Sequence, residues 1–206
     1  MSRALGWIFE PASRNREAWL LMNLLYFGVV ILGAIYSFFD PAAQRELLQA
    51  VGEAFSPTGS LGPVIEAYQQ GNLLPAILLT FLVNLFGGSF LVITVPSLVI
   101  PFAGVAAGMY RAALWGILFS PASDLFSPAF LPHLLTVLLE GEAYVMAMLG
   151  VWLWWWPVVT SPGRRWRDWK RGLALQGRVY VAVAFLLALA AIYEVLEVVY
   201  LVPRLV

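Results

Sequence analysis

The residues with the greatest capacity for chemistry stand in or beside long apolar runs. Arg111, Glu140, Glu142, Glu194 and Glu197 are ionisable groups of this kind, and Asn84 is a polar one. A charged group at mid-bilayer costs about 2.5 to 3.5 kcal/mol on insertion scales, so each needs a partner or a task. A guanidinium can hold one carboxylate through two parallel hydrogen bonds and bridge a second. Glu140, Glu142 and Glu194 outnumber Arg111, so at least one acid is expected to keep its proton at neutral pH. Such a cluster is either a clamp between helices or a site that relays a proton, binds a cation or holds a substrate. Glu197, near the end of its run, is expected to reach water instead. His133, following Pro132 where a run begins, suits an interfacial or capping role.

The elements that must position these groups follow from composition. Of 206 residues, 61% are hydrophobic and only 12% charged, against about 25% charged in ordinary soluble domains. With a mean hydropathy of +0.82, this excludes a soluble globular domain. Five runs, 18–39, 73–94, 97–119, 131–159 and 178–201, can each cross roughly 30 Å of hydrocarbon as a helix of about 20 residues. The expected fold is an all-α membrane protein: a single five-span bundle over 18–206, preceded by a cytoplasmic interfacial segment over 1–17. Pro96 and Pro101 predict a tight turn or broken helix between the second and third spans.

Nine of the twelve basic residues fall before the first span or between the fourth and fifth, counting Arg178 at the very start of the fifth. Four spans separate these segments, so both lie on one side, and the excess of Lys and Arg puts the N-terminus in and the C-terminus out. The inner, cytoplasmic membrane is the expected location. Trp7, Trp19, Trp152, Trp154, Trp155, Trp156, Trp166 and Trp169 gather toward the same face, as an aromatic belt would, and Trp115 toward the other. At a rise of about 1.5 Å per residue, Arg111 lies about 21 Å and Glu194 about 24 Å from the cytoplasmic edge, with Glu140 and Glu142 roughly 13 to 17 Å from the outer edge. Asn84 falls in the same layer. Pairing of Arg111 with at least one of these glutamates is therefore expected.

Two connections carry structure of their own. In the outer loop, 40–72, Asp40 as N-cap and Pro41 at the first helical position open an amphipathic helix, with Leu47, Leu48, Val51, Ala54 and Phe55 on one face. Pro63 starts a second short helix that Gly71 stops. These helices suit lipid, their own bundle or a partner. In the cytoplasmic loop, 160–177, Arg164, Arg165, Arg167, Lys170 and Arg171 alternate with Trp166 and Trp169. Beside a span, that pattern fits a surface for anionic lipid or a partner, and nucleic acid is not expected. Gly104 and Gly108 form a GxxxG spacing that lets helices approach closely. There is no phosphate-binding loop, zinc-protease or esterase motif, and there is no Cys. No catalytic residue, cofactor or metal site is therefore expected. An intramembrane glutamate protease would need a histidine beside its acids, and the single His stands at the interface.

Over residues 73–203 the motifs resemble those of the stage II sporulation protein M family. The fifth span, "LLALAAIYEVLEVVYLVP", is similar to that family's terminal helix through Ala190, Ala191, Glu194 and Pro203. In the fourth, Pro132, His133, Glu140, Ala143, Ala147 and Gly150 match its Pro-His, glutamate, alanine and glycine pattern, with Glu140 further along than the family's one turn. The resemblance implies a non-enzymatic multispan bundle that works beside other membrane or envelope proteins, or with itself, as a scaffold or complex subunit. The alternative is a transporter or channel component that uses the intramembrane carboxylates as an ion or proton site.

Overall fold

The computed structural model describes residues 3–121 and 130–204. Most of the expected second outer connection therefore lies outside the described residues. Every regular element among the described residues is helical. Two short helices, α1 (Arg3–Ile8) and α2 (Glu10–Arg14), lead into α3 (Arg16–Phe39). Then come α4 (Pro41–Ala54), α5 (Gly62–Gln69), α6 (Leu73–Ser97), α7 (Ala103–Leu118), α8 (Phe130–Thr160) and α9 (Arg165–Leu196), the last continuing through a wide turn at Glu197–Leu201. Four of them, α3, α6, α8 and α9, are long and apolar enough to cross a membrane.

The third expected span is the one that differs. Helix α6 does not stop at Thr94 but runs through Pro96 to Ser97, and the residues after it form a turn before Ala103. Phe102 closes that turn with φ 60°, a left-handed backbone rare for a side chain of its size; its ring lies 5.2 Å from that of Trp152. What remains for α7 is 16 residues, about 24 Å of helix. Pro96 is tolerated because it sits where the hydrogen-bonding pattern changes. From Val83 to Thr94, α6 winds as a π-helix, and ordinary α-helical bonding resumes only at Val95.

Packing centres on α8, whose apolar length is 72% buried, against 17% for α3. Glycines set the close approaches. A Cβ at Gly116 would overlap the Val30 carbonyl, and one at Gly33 the Ala113 carbonyl, so α3 and α7 meet almost backbone to backbone. Gly104 lies against the Ile93 carbonyl and Gly108 against the Met148 side chain. Gly172 on α9 makes room for Trp154 on α8. Trp154 and Trp155 are buried. The aromatic belt expected at the interface is thus partly core, since Trp154 packs on Trp169 and the Trp155 indole donates to the Ser97 carbonyl at 2.7 Å.

The helices expected between the first two spans form as their capping residues dictate. The Asp40 carboxylate accepts from the Ala43 amide at 3.3 Å, Pro41 opens α4, and Gly71 turns the chain with φ 67°. Buried Gln44 ties α4 to the bundle, donating to the carbonyls of Leu118 at 3.1 Å and Ser120 at 2.9 Å. The segment read as the 160–177 loop is helical from Arg165 onward, so only Ser161 and the turn Pro162–Arg164 separate α8 from α9.

Candidate functional site

Three helices contribute to one chain of polar groups. The Asn84 amide of α6 donates to Glu140 Oε1 of α8 at 2.5 Å. One turn along α8 from Glu140, the Tyr144 hydroxyl donates to Asn84 Oδ1 at 3.0 Å. That hydroxyl in turn accepts from the Arg111 guanidinium of α7, also at 3.0 Å. Arg111 Cζ stands 4.6 Å from the Tyr144 ring centroid and 5.6 Å from that of Trp115, close enough for cation–π attraction. Gly88 leaves the necessary space: a Cβ there would come within 2.8 Å of the Tyr144 oxygen and 3.1 Å of Arg111. Within this hydrogen-bonded series two buried atoms have no partner, Glu140 Oε2 and Arg111 Nε.

This geometry corrects the expected pairing. Among the described residues no ion pair joins Arg111 to Glu140, Glu142 or Glu194; the ion pairs found are Glu10 with Arg14 and Arg178, and Glu197 with His133. The physical reason is Tyr144, whose hydroxyl both donates and accepts and so fits between a cation and an amide. Glu142, two residues beyond Glu140, points some 200° away around the helix and accepts from the Trp19 indole of α3 at 2.6 Å. Glu197 does not reach water. It is 1% exposed, and it meets His133 Nδ1 at 3.3 Å and the Thr136 hydroxyl at 3.2 Å. His133 accordingly faces a carboxylate between helices.

Arg111, Glu140 and Glu194 line one cavity of about 500 Å³, together with Asn84 and His133. Leu47 and Val51 of α4, Phe55 just after it, then Leu61 and Val64 beside and within α5, supply an apolar side to it. The amphipathic helices therefore cover the polar cluster of the bundle. Near them, burial raises the Tyr68 phenol above its ordinary pKa, so it stays neutral; it shares a hydrogen bond with Thr80 at 3.1 Å.

The chain matches no family model, no curated protein and no solved structure. Its chemistry is thus read from its own groups. At the far end of the bundle from α4, Arg164, Arg165, Trp166, Arg167, Lys170 and Arg171 are exposed. Trp169 stacks on Trp166 at 5.3 Å and Lys170 lies 4.9 Å over the Trp166 ring. Arg178, counted with this basic group, is instead paired with Glu10 and sits 5.5 Å from the Trp7 ring, pinning α1 and α2 to α9.

Sequence reasoning missed Tyr144, although its i, i+4 spacing from Glu140 was a usable signal. It also missed a second polar cluster. The Tyr180 hydroxyl of α9 meets Ser89 at 3.0 Å and Thr94 at 2.8 Å, and Gln176 donates to Thr94 at 2.9 Å. All of these are neutral side chains, which in an apolar run give no charge signal.

Proposed function

We propose that the chain is a non-enzymatic integral membrane subunit: a five-span bundle in the cytoplasmic membrane, N-terminus in and C-terminus out. In this reading the short α7 is the third of the five spans, and the protein works as a scaffold beside other membrane or envelope proteins, in the manner of the family that residues 73–203 resemble. The observation that carries it is the hydrogen-bonded chain from Arg111 through Tyr144 and Asn84 to Glu140, which joins α7, α8 and α6. Buried polar groups joined across helices in this way fix their arrangement. The exposed Arg and Trp side chains at the start of α9 supply a surface for anionic lipid or a partner.

The cavity favours a second reading, a transporter or channel component that binds an ion at Glu140 and Glu194. Purified protein in liposomes separates the two. The scaffold reading expects no proton or cation flux, and expects Glu140→Gln to fold and keep its assembly state in mild detergent. Flux abolished by Glu140→Gln with the fold intact would establish transport in its place.

A further inference from the structure

A cavity lined by both signs of charge constrains what can occupy it. Arg111 Nε is a donor without an acceptor, and Glu140 Oε2 is an acceptor without a donor. Both residues line the same space, with Glu194 beside them, and Glu140 is 2% exposed. The two unfilled atoms do not satisfy each other. A simple anion would answer Arg111 and face two carboxylates; a simple cation would answer the carboxylates and face the guanidinium. Unpaired buried charges are costly in either case. A molecule carrying an anionic group and an ammonium satisfies both. Much of the remaining wall is apolar, with Leu47, Val51, Phe55, Leu61, Val64 and Leu114 on it, and asks for hydrocarbon. At about 500 Å³, the space lies within the range of roughly 300 to 1,000 Å³ usual for small-molecule sites.

We infer that the cavity between α4, α5 and the polar chain of the bundle is a binding site for a zwitterionic amphiphile. Its anionic group sits on Arg111, its ammonium on Glu140 and Glu194, and its hydrocarbon against α4 and α5. Two sources supply that chemistry: a bilayer phospholipid with an amine headgroup, and a soluble apolar amino acid. The inference rests on the bundle lying in a bilayer only for access by the lipid, which topology labelling tests separately.

Gly87 provides a clean variant. It lines the cavity, yet a Cβ added there meets nothing within 4 Å, so Gly87→Leu starts its side chain in open space at the cavity wall. The full chain, delipidated in detergent, is given phosphatidylethanolamine, phosphatidylglycerol or free leucine, with binding read by native mass spectrometry and thermal shift. Phosphatidylethanolamine or leucine should bind and raise the melting temperature, and phosphatidylglycerol, which lacks the ammonium, should do so far less. Arg111→Gln and Glu194→Gln should each weaken binding about tenfold or more, the loss expected for a charge-assisted hydrogen bond. Gly87→Leu should abolish binding while the unliganded protein melts as before. Equal binding of all three probes, binding by neither zwitterion, or binding that survives Gly87→Leu overturns the site. Because Gly87→Leu leaves both charges in place, misfolding of the charge variants does not protect the inference.

Discussion

Tyr144 lets a cation and a carboxylate share the interior without touching. Tyr144→Phe leaves the guanidinium of Arg111 and the Oδ1 of Asn84 each short of a partner. Stranding buried groups costs about 1 to 3 kcal/mol apiece, so thermal unfolding in detergent should register a clear loss. In the Arg111→Leu background one of those groups is already gone, and the same Tyr144→Phe change should cost less; strict additivity would show that the hydroxyl does not connect them. A second residue-scale prediction concerns Asp40. The Tyr36 hydroxyl, at 2.8 Å, and then the Ala43 amide hold its carboxylate below the usual range. A carboxyl depressed in the folded state stabilises above its unfolded pKa and loses that contribution as pH falls through the lowered value. Protection of the Ala43 amide against exchange, relative to its intrinsic rate, should therefore fall in acid, and Tyr36→Phe should move the onset to higher pH. That Glu140 and Glu142 need partners was legible from their place in apolar runs, whereas Glu197 was expected to reach water. The partners themselves were less legible. Glu142 turns to Trp19 because two residues along a helix reverse its face, and Glu197 finds His133 on a different helix, a proximity no spacing within one run encodes.

Among the elements, the amphipathic α4 was readable because Asp40, Pro41 and the spacing of Leu47, Val51 and Phe55 all act locally. The π-helical winding of α6 was not, since the hydrogen-bond pattern of an apolar run is set by what it packs against. Its consequence for span lengths was equally hidden: α6 extends to Ser97, and α7 is left short. The glycines offer a test of how tightly these elements are set. Gly116→Ala would push its methyl into the Val30 carbonyl, and Gly88→Ala would crowd Tyr144 and Arg111. Overpacking typically costs about 1 to 3 kcal/mol, so both should lower thermal stability in detergent. Gly87→Ala, one residue away with open space around its Cβ, should be near neutral. Equal effects at Gly87 and Gly88 would mean that α6 does not present these faces.

For the whole molecule, the arrangement in a bilayer can be checked with single cysteines, since the chain has none of its own. Gly52 on α4 and Gly163 between α8 and α9 are exposed and have open space for a side chain. Membrane-impermeant labelling of intact cells should reach Gly52→Cys and spare Gly163→Cys; labelling of both from one side would overturn the orientation. The Arg and Trp residues before the last span belong to the same 32-residue helix as Glu194. At about 1.5 Å per residue, that rod is about 48 Å long, well beyond the roughly 30 Å of hydrocarbon. Gly172 against Trp154 and the Gln176 hydrogen bond to the Ala147 carbonyl hold α9 on α8. In a bilayer, a rod of that length must tilt or project, so the end that carries the exposed cations and indoles is the part that can stand outside the hydrocarbon.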